Sequence, residues 1–280
     1  MSAPTVRRRR LGKVLRGLRE AADMTLEDVE RSTGFTTAKL SRIETARVAT
    51  KPVDVEQLLR CYSLEDEGMA QALTALAREG SKRGWWEPYR DVLSAVYADL
   101  ISLEADASEW RAYYPLLVPG LLQTPAYARA MIGAINMTSP QATVNRLVEV
   151  RMGRQSVLTR DTPLEVWAVV PEAALRMKLP EPIMRDQCQR LLDLSELPNI
   201  NVQLMPLDAT PHPGVSGGFA MLAFPEQQDM DVVLLENLTT SLYIEEDVDP
   251  YRGAFSRLQA AALPFEESLQ RISNLKEGHK

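Results

Sequence analysis

The sequence predicts at least two domains: an all-α N-terminal domain, then an α+β C-terminal domain with a small, mostly antiparallel sheet. Three observations lead to this prediction. Apolar residues recur at helical spacing before about residue 65, whereas alternating β-branched segments begin near residue 164. Charge divides along the chain, because residues 1–60 hold 13 Lys/Arg and 8 Asp/Glu, while residues 61–280 hold 19 and 30. A basic N-terminal part joined to an acidic remainder indicates that only the first part binds a polyanion.

The most specific signal lies between Thr25 and Arg47 and predicts two short helices joined by a turn at Gly34. Thr25 and Thr36 are N-cap candidates, and Asp28 occupies the position of the acidic partner in a capping box. Gly34 can adopt a positive φ at little steric cost. This is the layout of a helix-turn-helix, which places its second helix in the major groove of double-stranded DNA.

The outward face of the second helix carries small and polar side chains with one long cation, which suits contact with base edges. The residues predicted to read bases are Thr37, Ala38, Ser41 and Arg42. The residues predicted to contact phosphates are Thr25, Thr36, Lys39, Arg47, Lys51, Arg8, Arg9 and Arg10. Arg8, Arg9 and Arg10 belong to the run Arg7–Arg10 in a basic arm, residues 1–10, that is expected to track phosphates or enter a minor groove. The alternative is a disordered solubilising tail.

Apolar residues at helical spacing on both sides of this motif complete a bundle of four or five helices over residues 11–65. Residues 66–84 are predicted to form a linker or helix. Residues 85–280 are then a regulatory, partner-binding and dimerisation domain.

Residues 11–62 resemble the Cro and phage-repressor (XRE) family of helix-turn-helix domains, most clearly in the segment Ser41–Glu44. The resemblance implies a buried ion pair between Arg19 and Glu44, and base reading from the outward residues of the second helix. Glu30 departs from the family, which usually has a small residue there. We expect its stem to pack while its carboxylate reaches solvent. The alternative for this region is a helical bundle that binds protein.

The second domain begins with helices and continues with strands. Thr124 and Pro125 mark one helix start, as N-cap and first helical residue. Predicted helices are residues 89–112, 125–135, 140–158, 183–197, 249–262 and 266–275. Predicted strands are residues 164–170, 200–205, 218–224, 232–236 and 241–245. Arg146, Arg151 and Arg154 share a helix and are interpreted as a solvated face, with a second phosphate site as the alternative.

The second domain offers little catalytic chemistry. His212 lies between two prolines, and the glycine-rich residues 214–218 precede a strand, so they lack the helix N-terminus that binds phosphate. The acidic residues 245–249 lack the glycine and spacing of a calcium loop. We therefore predict a protein that is not an enzyme, with no catalytic residues, no cofactor and no metal.

Cys61 and Cys188 are far apart in the sequence and are expected to be reduced thiols, and no apolar run is long enough to cross a bilayer. We therefore expect a cytoplasmic protein that has no membrane partner and is nucleoid-associated when bound to DNA.

The second domain also shows a resemblance, carried by WWEPY, VPGLLQTPAYARA, NVQLMPL and GGFAMLAFP. These segments are similar to the C-terminal domain of actinobacterial regulators described as WhiJ-like or antitoxin-like. The resemblance covers about residues 85–275. It implies control by a small BldB-like partner protein, and it implies no active site.

The predicted function is a sequence-specific DNA-binding transcription regulator. A single helix-turn-helix makes few base contacts, so two half-sites and a homodimer are expected. Two alternatives remain open: an antitoxin-like protein-interaction module, and a ligand sensor with a catalytically inactive ADP-ribosyltransferase-like body.

Overall fold

The computed structural model describes residues 6–79, 84–224, 231–238 and 240–278. The chain divides into two compact units. The first consists of residues 1–88 and 94–103, and the second of residues 89–93 and 104–280. The predicted class, a helical N-terminal region followed by an α+β region, is confirmed.

The first unit is a helical bundle built around the predicted helix-turn-helix. Its helices are α1 (Val6–Ala21), α2 (Leu26–Thr33), α3 (Thr37–Glu44), α4 (Pro52–Cys61) and α5 (Glu67–Glu79), joined by the first part of α6 (Ala95–Asp106). Its core is aliphatic and made by side chains less than 5% exposed: Leu11, Leu15, Val29, Leu40, Ile43, Val55, Leu58 and Leu73. Burial of this apolar stripe stabilises helices too short to persist alone.

The predicted basic arm is different in the structure. Residues 6–10 form the start of α1, while residues 1–5 lie outside the described part of the chain. The Val6 amide donates a hydrogen bond to the Asp99 carboxylate over 3.1 Å. The Nη2 atom of Arg7 donates one to the Ser102 carbonyl oxygen over 2.5 Å. Arg7 and Arg10 are only 9% and 6% exposed. The packing of α1 against α6 therefore orders this segment and removes two of its arginines from the surface.

The first compact unit contains more than the helix-turn-helix bundle. Residues 67–79 form α5, and its Leu73 and Ala77 are buried within the first unit. Residues 94–103 belong to the same unit. Residues 80–83 of the expected linker are not described.

The second unit is built on a mixed sheet of six strands. The strands are β1 (Glu109–Tyr113), β2 (Glu165–Pro171), β3 (Ile200–Met205), β4 (Phe219–Ala223), β5 (Val232–Glu236) and β6 (Ser241–Ile244). Their spatial order is β3-β2-β1-β4-β5-β6. The β1–β2 and β2–β3 pairs are parallel, and the remaining three pairs are antiparallel.

The helices of this unit are α7 (Pro125–Ile135), α8 (Gln141–Arg154), α9 (Glu172–Leu175), α10 (Glu181–Ser195), α11 (Asp249–Ala261) and α12 (Phe265–Gly278). Helix α11 packs on one face of the sheet, where Phe255 and Leu258 join a buried cluster with Tyr113, Val169 and Phe219. Helix α12 packs beside β3, and the Leu204 amide donates to Ser268 Oγ over 2.9 Å.

The central strand β1 corrects the predicted helix over residues 89–112. The helix is shorter, Ala95–Asp106, and Glu109–Tyr113 pairs on both sides within the sheet. The segment EWRAY alternates partly buried and buried residues, with Trp110 and Ala112 inward on one face. Too few residues alternate for this period to stand out beside the preceding helix. Tertiary pairing decides its conformation.

The arginines of α8 do not form a solvated face. Arg154 is 4% exposed and forms an ion pair with Glu104, itself 1% exposed, with Nε donating to Oε2 over 2.8 Å. Arg151 donates to Gln123 over 2.9 Å, and Arg146 forms an ion pair with Asp91. Each arginine therefore holds α8 to another segment of the same unit.

Cys61 and Cys188 are free thiols, and burial raises the pKa of Cys188 to about 11. Across the described residues, no helix has both the length and the apolar character needed to span a bilayer.

Removing one partner of the buried Glu104–Arg154 pair is expected to destabilise the second unit strongly. Arg154→Met leaves an uncompensated carboxylate inside the fold, which should cost about 3–5 kcal/mol of unfolding free energy in urea denaturation. The double variant Glu104→Gln with Arg154→Met removes both charges and should recover most of that loss. A single variant that unfolds at the wild-type midpoint would contradict a structural role for the pair.

Candidate nucleic-acid interface

The helix-turn-helix is shaped by local capping. Thr25 Oγ1 accepts a hydrogen bond from the Asp28 amide over 3.2 Å, while Asp28 Oδ2 accepts from the Thr25 amide over 2.9 Å. This reciprocal pair is the predicted capping box. At the other end of α2, Gly34 has φ 75°, the left-handed conformation that a glycine adopts without strain. These features fix where α2 begins and where the chain turns towards α3.

Glu30 connects the two helices across the turn. Its Oε2 accepts a hydrogen bond from the backbone amide of Thr37, the first residue of α3, over 3.3 Å. This carboxylate was expected to reach solvent; in the structure Glu30 is partly buried, and its carboxylate also contacts the start of α3. An amide at a helix N-terminus lacks an intrahelical partner, and the helix dipole favours an anion there. Glu30 thus helps to hold the start of α3.

Lys39 is partly exposed and contacts two side chains of the same unit. Its Nζ lies 2.8 Å from Asp54 Oδ2 at the start of α4 and 3.6 Å from the centroid of the Phe35 ring. Lys39 was expected to contact phosphate. The ion pair and the cation–π contact instead direct its ammonium to neighbouring helices. Its role in the free protein is to fix α3 against the turn and α4.

The outward face of α3 is small and polar, as the helical spacing predicts. Ala38, Ser41 and Arg42 are exposed, and Thr37 is partly buried. Arg42 Nε donates to the Ala38 carbonyl oxygen one turn earlier, over 3.1 Å. This bond lays the stem of Arg42 along the helix and points its guanidinium towards the N-terminal end of the face. In helix-turn-helix domains that end of the second helix contacts base edges.

The C-terminal end of α3 is fixed to α1 by an ion pair. Arg19 Nε lies 2.7 Å from Glu44 Oε1, and Arg19 Nη2 lies 3.0 Å from Oε2. The two side chains are 11% and 8% exposed. Arg19 Nη1 also donates to the Met24 carbonyl oxygen over 2.8 Å, so one guanidinium joins α1, α3 and the start of α2. The hydrogen bond with Glu44 raises the pKa of Arg19.

Gly12 allows α1 to approach the end of α3 closely. A Cβ atom built on Gly12 would lie 2.6 Å from the Ile43 carbonyl oxygen and 2.7 Å from that of Glu44. Both distances are shorter than van der Waals contact, and both partners are backbone atoms. Only glycine fits this position without moving α3.

Apart from Lys39, the residues predicted to contact phosphate fall into two groups. Thr25, Thr36, Arg47 and Lys51 are exposed around the motif, and the hydroxyls of Thr25 and Thr36 also cap their helices. The others lie on α1, where Arg8 and Arg9 are partly buried and Arg10 is 6% exposed. The burial of Arg10 is incompatible with a phosphate contact in this conformation.

Sequence reasoning missed three residues that position α3: Gly12, Asp54, and Glu30 through its hydrogen bond to the first amide of α3. Gly12 carried a signal, because a glycine inside a helix is destabilising unless close packing requires it. Glu30 and Asp54 carried no such signal in the sequence, because Thr37 lies across the turn from Glu30 and Lys39 is distant in sequence from Asp54.

Two glycines of α1 provide a matched test of this packing. Gly12→Ala should destabilise the first unit by about 1–3 kcal/mol, because the added methyl group must displace the end of α3. A Cβ at Gly17 would meet nothing within 4 Å. Gly17→Ala should therefore be neutral or stabilise by up to about 1 kcal/mol. Urea denaturation of both variants checks this, and equal behaviour would contradict close packing at Gly12.

Comparison with known proteins gives two matches to family models. A helix-turn-helix domain matches residues 10–72, and a domain of unknown function, DUF5753, matches residues 97–274. No curated protein matches the chain, and no solved structure does. The first match agrees with the geometry of α2 and α3, so the N-terminal region is a helix-turn-helix domain of the kind by which regulators bind DNA. The second match spans more than half of the chain, which therefore belongs to the family of proteins that carry the DUF5753 domain.

Proposed function

We propose that this protein is a sequence-specific transcription regulator of the XRE type, which reads DNA with helix α3. One observation carries the proposal. Contacts with other segments fix both ends of the short helix α3, and its outward face exposes Ala38, Ser41 and Arg42. Ala38 and Ser41 are small enough for close approach to a base pair, and Arg42 can donate two hydrogen bonds to guanine. The excess of Lys/Arg within residues 1–60 supports the electrostatic attraction to DNA.

The proposed regulator acts as a homodimer on two half-sites. One α3 helix offers few base-reading side chains, which is too little for useful specificity in a genome. The second unit, with its six-stranded sheet and its own core, is the candidate for dimerisation and control. Its resemblance to WhiJ-like regulators supports a small BldB-like partner as the controlling signal.

The second unit is proposed to regulate rather than catalyse. Its buried carboxylates, Glu104, Glu172 and Asp231, each form an ion pair with an arginine, which suits structural roles. Turnover of a nucleotide or NAD by the purified chain would contradict this part of the proposal.

Arg42→Ala should weaken binding to the operator by about 1–3 kcal/mol while leaving binding to random DNA nearly unchanged. The measurement is fluorescence anisotropy with both DNAs, after genome-wide mapping has identified the operator. Arg16→Ala is the matched control, because Arg16 is an exposed arginine of α1 in an ion pair with Glu20. An equal loss on both DNAs would make Arg42 a phosphate contact and not a base reader.

Three basic residues predicted to contact phosphate should differ in their effect on salt dependence: Arg47 and Lys51, which are exposed, and Arg10, which is buried. Each phosphate contact contributes about 0.9 to the slope of log K against log salt concentration. Replacing Arg47 or Lys51 with Gln should lower the slope by about that amount. Arg10→Gln should leave the slope unchanged and lower stability, since Arg10 is buried. If Arg10→Gln lowered the slope, Arg10 would contact DNA phosphate as the sequence predicted.

The oligomeric state has a direct test. Light scattering should give the mass of two chains on an operator with two half-sites spaced by about one helical turn, about 10 base pairs. A single chain that binds one half-site with full specificity would contradict the homodimer.

A further inference from the structure

The second unit has a charged recess that contains none of the residues assigned to DNA contact and has no role in the proposed function. It has a volume of about 340 Å³. Its walls are Arg176, which follows α9, and four residues of α12: Arg271, Asn274, Leu275 and Gly278.

The two arginines share one buried carboxylate. Glu172 has a side chain that is 0% exposed, and its Oε1 accepts from Arg176 Nε over 2.6 Å and from Arg271 Nη2 over 3.1 Å. Burial alone would raise the pKa of Glu172, but the hydrogen bonds from the two guanidinium groups outweigh it and lower the pKa. Glu172 is therefore an anion, and it compensates only one of the two positive charges.

The uncompensated charge faces the recess. Arg176 and Arg271 have side chains 48% and 47% exposed, whereas their carboxylate lies beneath them. None of the five lining residues is acidic. Asn274 Oδ1 accepts from Gln270, which leaves the Nδ2 group of Asn274 as a donor. The wall thus presents two guanidinium groups and one amide, all of them hydrogen-bond donors. One arginine would be enough to neutralise Glu172 and connect α9 to α12, so the second arginine is available to bind an anion.

The charge count selects the kind of anion. A carboxylate matches the planar fork of a guanidinium and carries the single negative charge that the site lacks. Gly278, the last residue of α12, also lines the recess, and the partial negative charge of a helix C-terminus makes a second negative charge on the ligand unfavourable. The leucine at the base of the recess, Leu275, is 8% exposed and suits a small apolar group.

We propose that the recess formed by Arg176, Arg271 and Asn274 binds a small ligand through a single carboxylate group. The ligand would join α9 to α12 by bridging the two arginines, and it would stabilise the docking of α12 against β3 and α10. The site would make the DUF5753 domain of this chain responsive to a carboxylic acid.

The test uses the full-length chain with acetate and lactate as probes, and with phosphate and chloride at equal ionic strength for comparison. Saturation-transfer NMR on the methyl group of each acid reports binding directly. A thermal unfolding midpoint that rises with acid concentration reports it through stability. We expect saturable binding of lactate and acetate, and no comparable effect from phosphate.

The decisive variant is Arg271→Gln, which should weaken lactate binding at least about tenfold, since it removes a charge-assisted hydrogen bond. Glu172 keeps Arg176 as its partner, so the variant is expected to fold. Arg176→Gln is the reciprocal variant and should have a similar effect. Arg185→Gln removes an exposed arginine of α10 outside the recess and should change nothing.

Four results would overturn the proposal. They are no binding of either acid, unchanged binding in both Arg176→Gln and Arg271→Gln, equal weakening by Arg185→Gln, and phosphate binding as tight as lactate binding. None of these depends on DNA binding, which the same preparations can be tested for separately.

Discussion

The DNA-reading surface depends on one constraint: an eight-residue helix cannot remain folded in water by itself. Helix α3 is held by contacts outside its own sequence. The Glu30 carboxylate holds its first amide, Lys39 links its middle to Asp54, and the Arg19–Glu44 pair fixes its end. Gly12 sets how closely that end approaches α1. Because these four contacts do not use the exposed side chains of Ala38, Ser41 and Arg42, the outward face can remain small and polar. The exposed face can therefore vary with the DNA sequence without loss of the fold.

In the second unit, two glutamate side chains are buried within the fold. Glu104 and Glu172 are both fully buried, yet each accepts hydrogen bonds from arginine. At Glu104 the partner Arg154 is buried as well, so the pair is closed and structural. At Glu172 the two partners are half-exposed and exceed the carboxylate in charge. Hydrogen bonds from arginine to a buried glutamate therefore form a fully buried ion pair at Glu104, whereas at Glu172 they leave two guanidinium groups exposed to solvent.

The two proposals concern separate units and are physically independent. The first proposal assigns the reading of DNA to the outward side chains of α3, and the second assigns carboxylate binding to the arginines beside α9 and α12. The helix α6 contains residues of both units, from Ala95 in the first to Asp106 in the second. A ligand bound to the second unit can alter DNA binding only if it has different affinity for two states of the chain. Any regulatory link between the units is therefore a coupling free energy to be measured.

Local chemistry determined much of this protein from sequence alone. The capping box, the Gly34 turn, the periodicity of α2 and α3, the positions of α7 and α11, and five of the six strands follow from patterns within short segments. What the tertiary structure decided involves partners distant in sequence. It placed β1 at the centre of the sheet, since its five residues become a strand only by pairing with β2 and β4. It buried Arg10 and Arg154, tied Lys39 to Asp54, and turned Glu30 towards Thr37. A charged side chain looks the same in a sequence whether it meets solvent, DNA or a buried carboxylate, because its environment is created only when distant segments pack together.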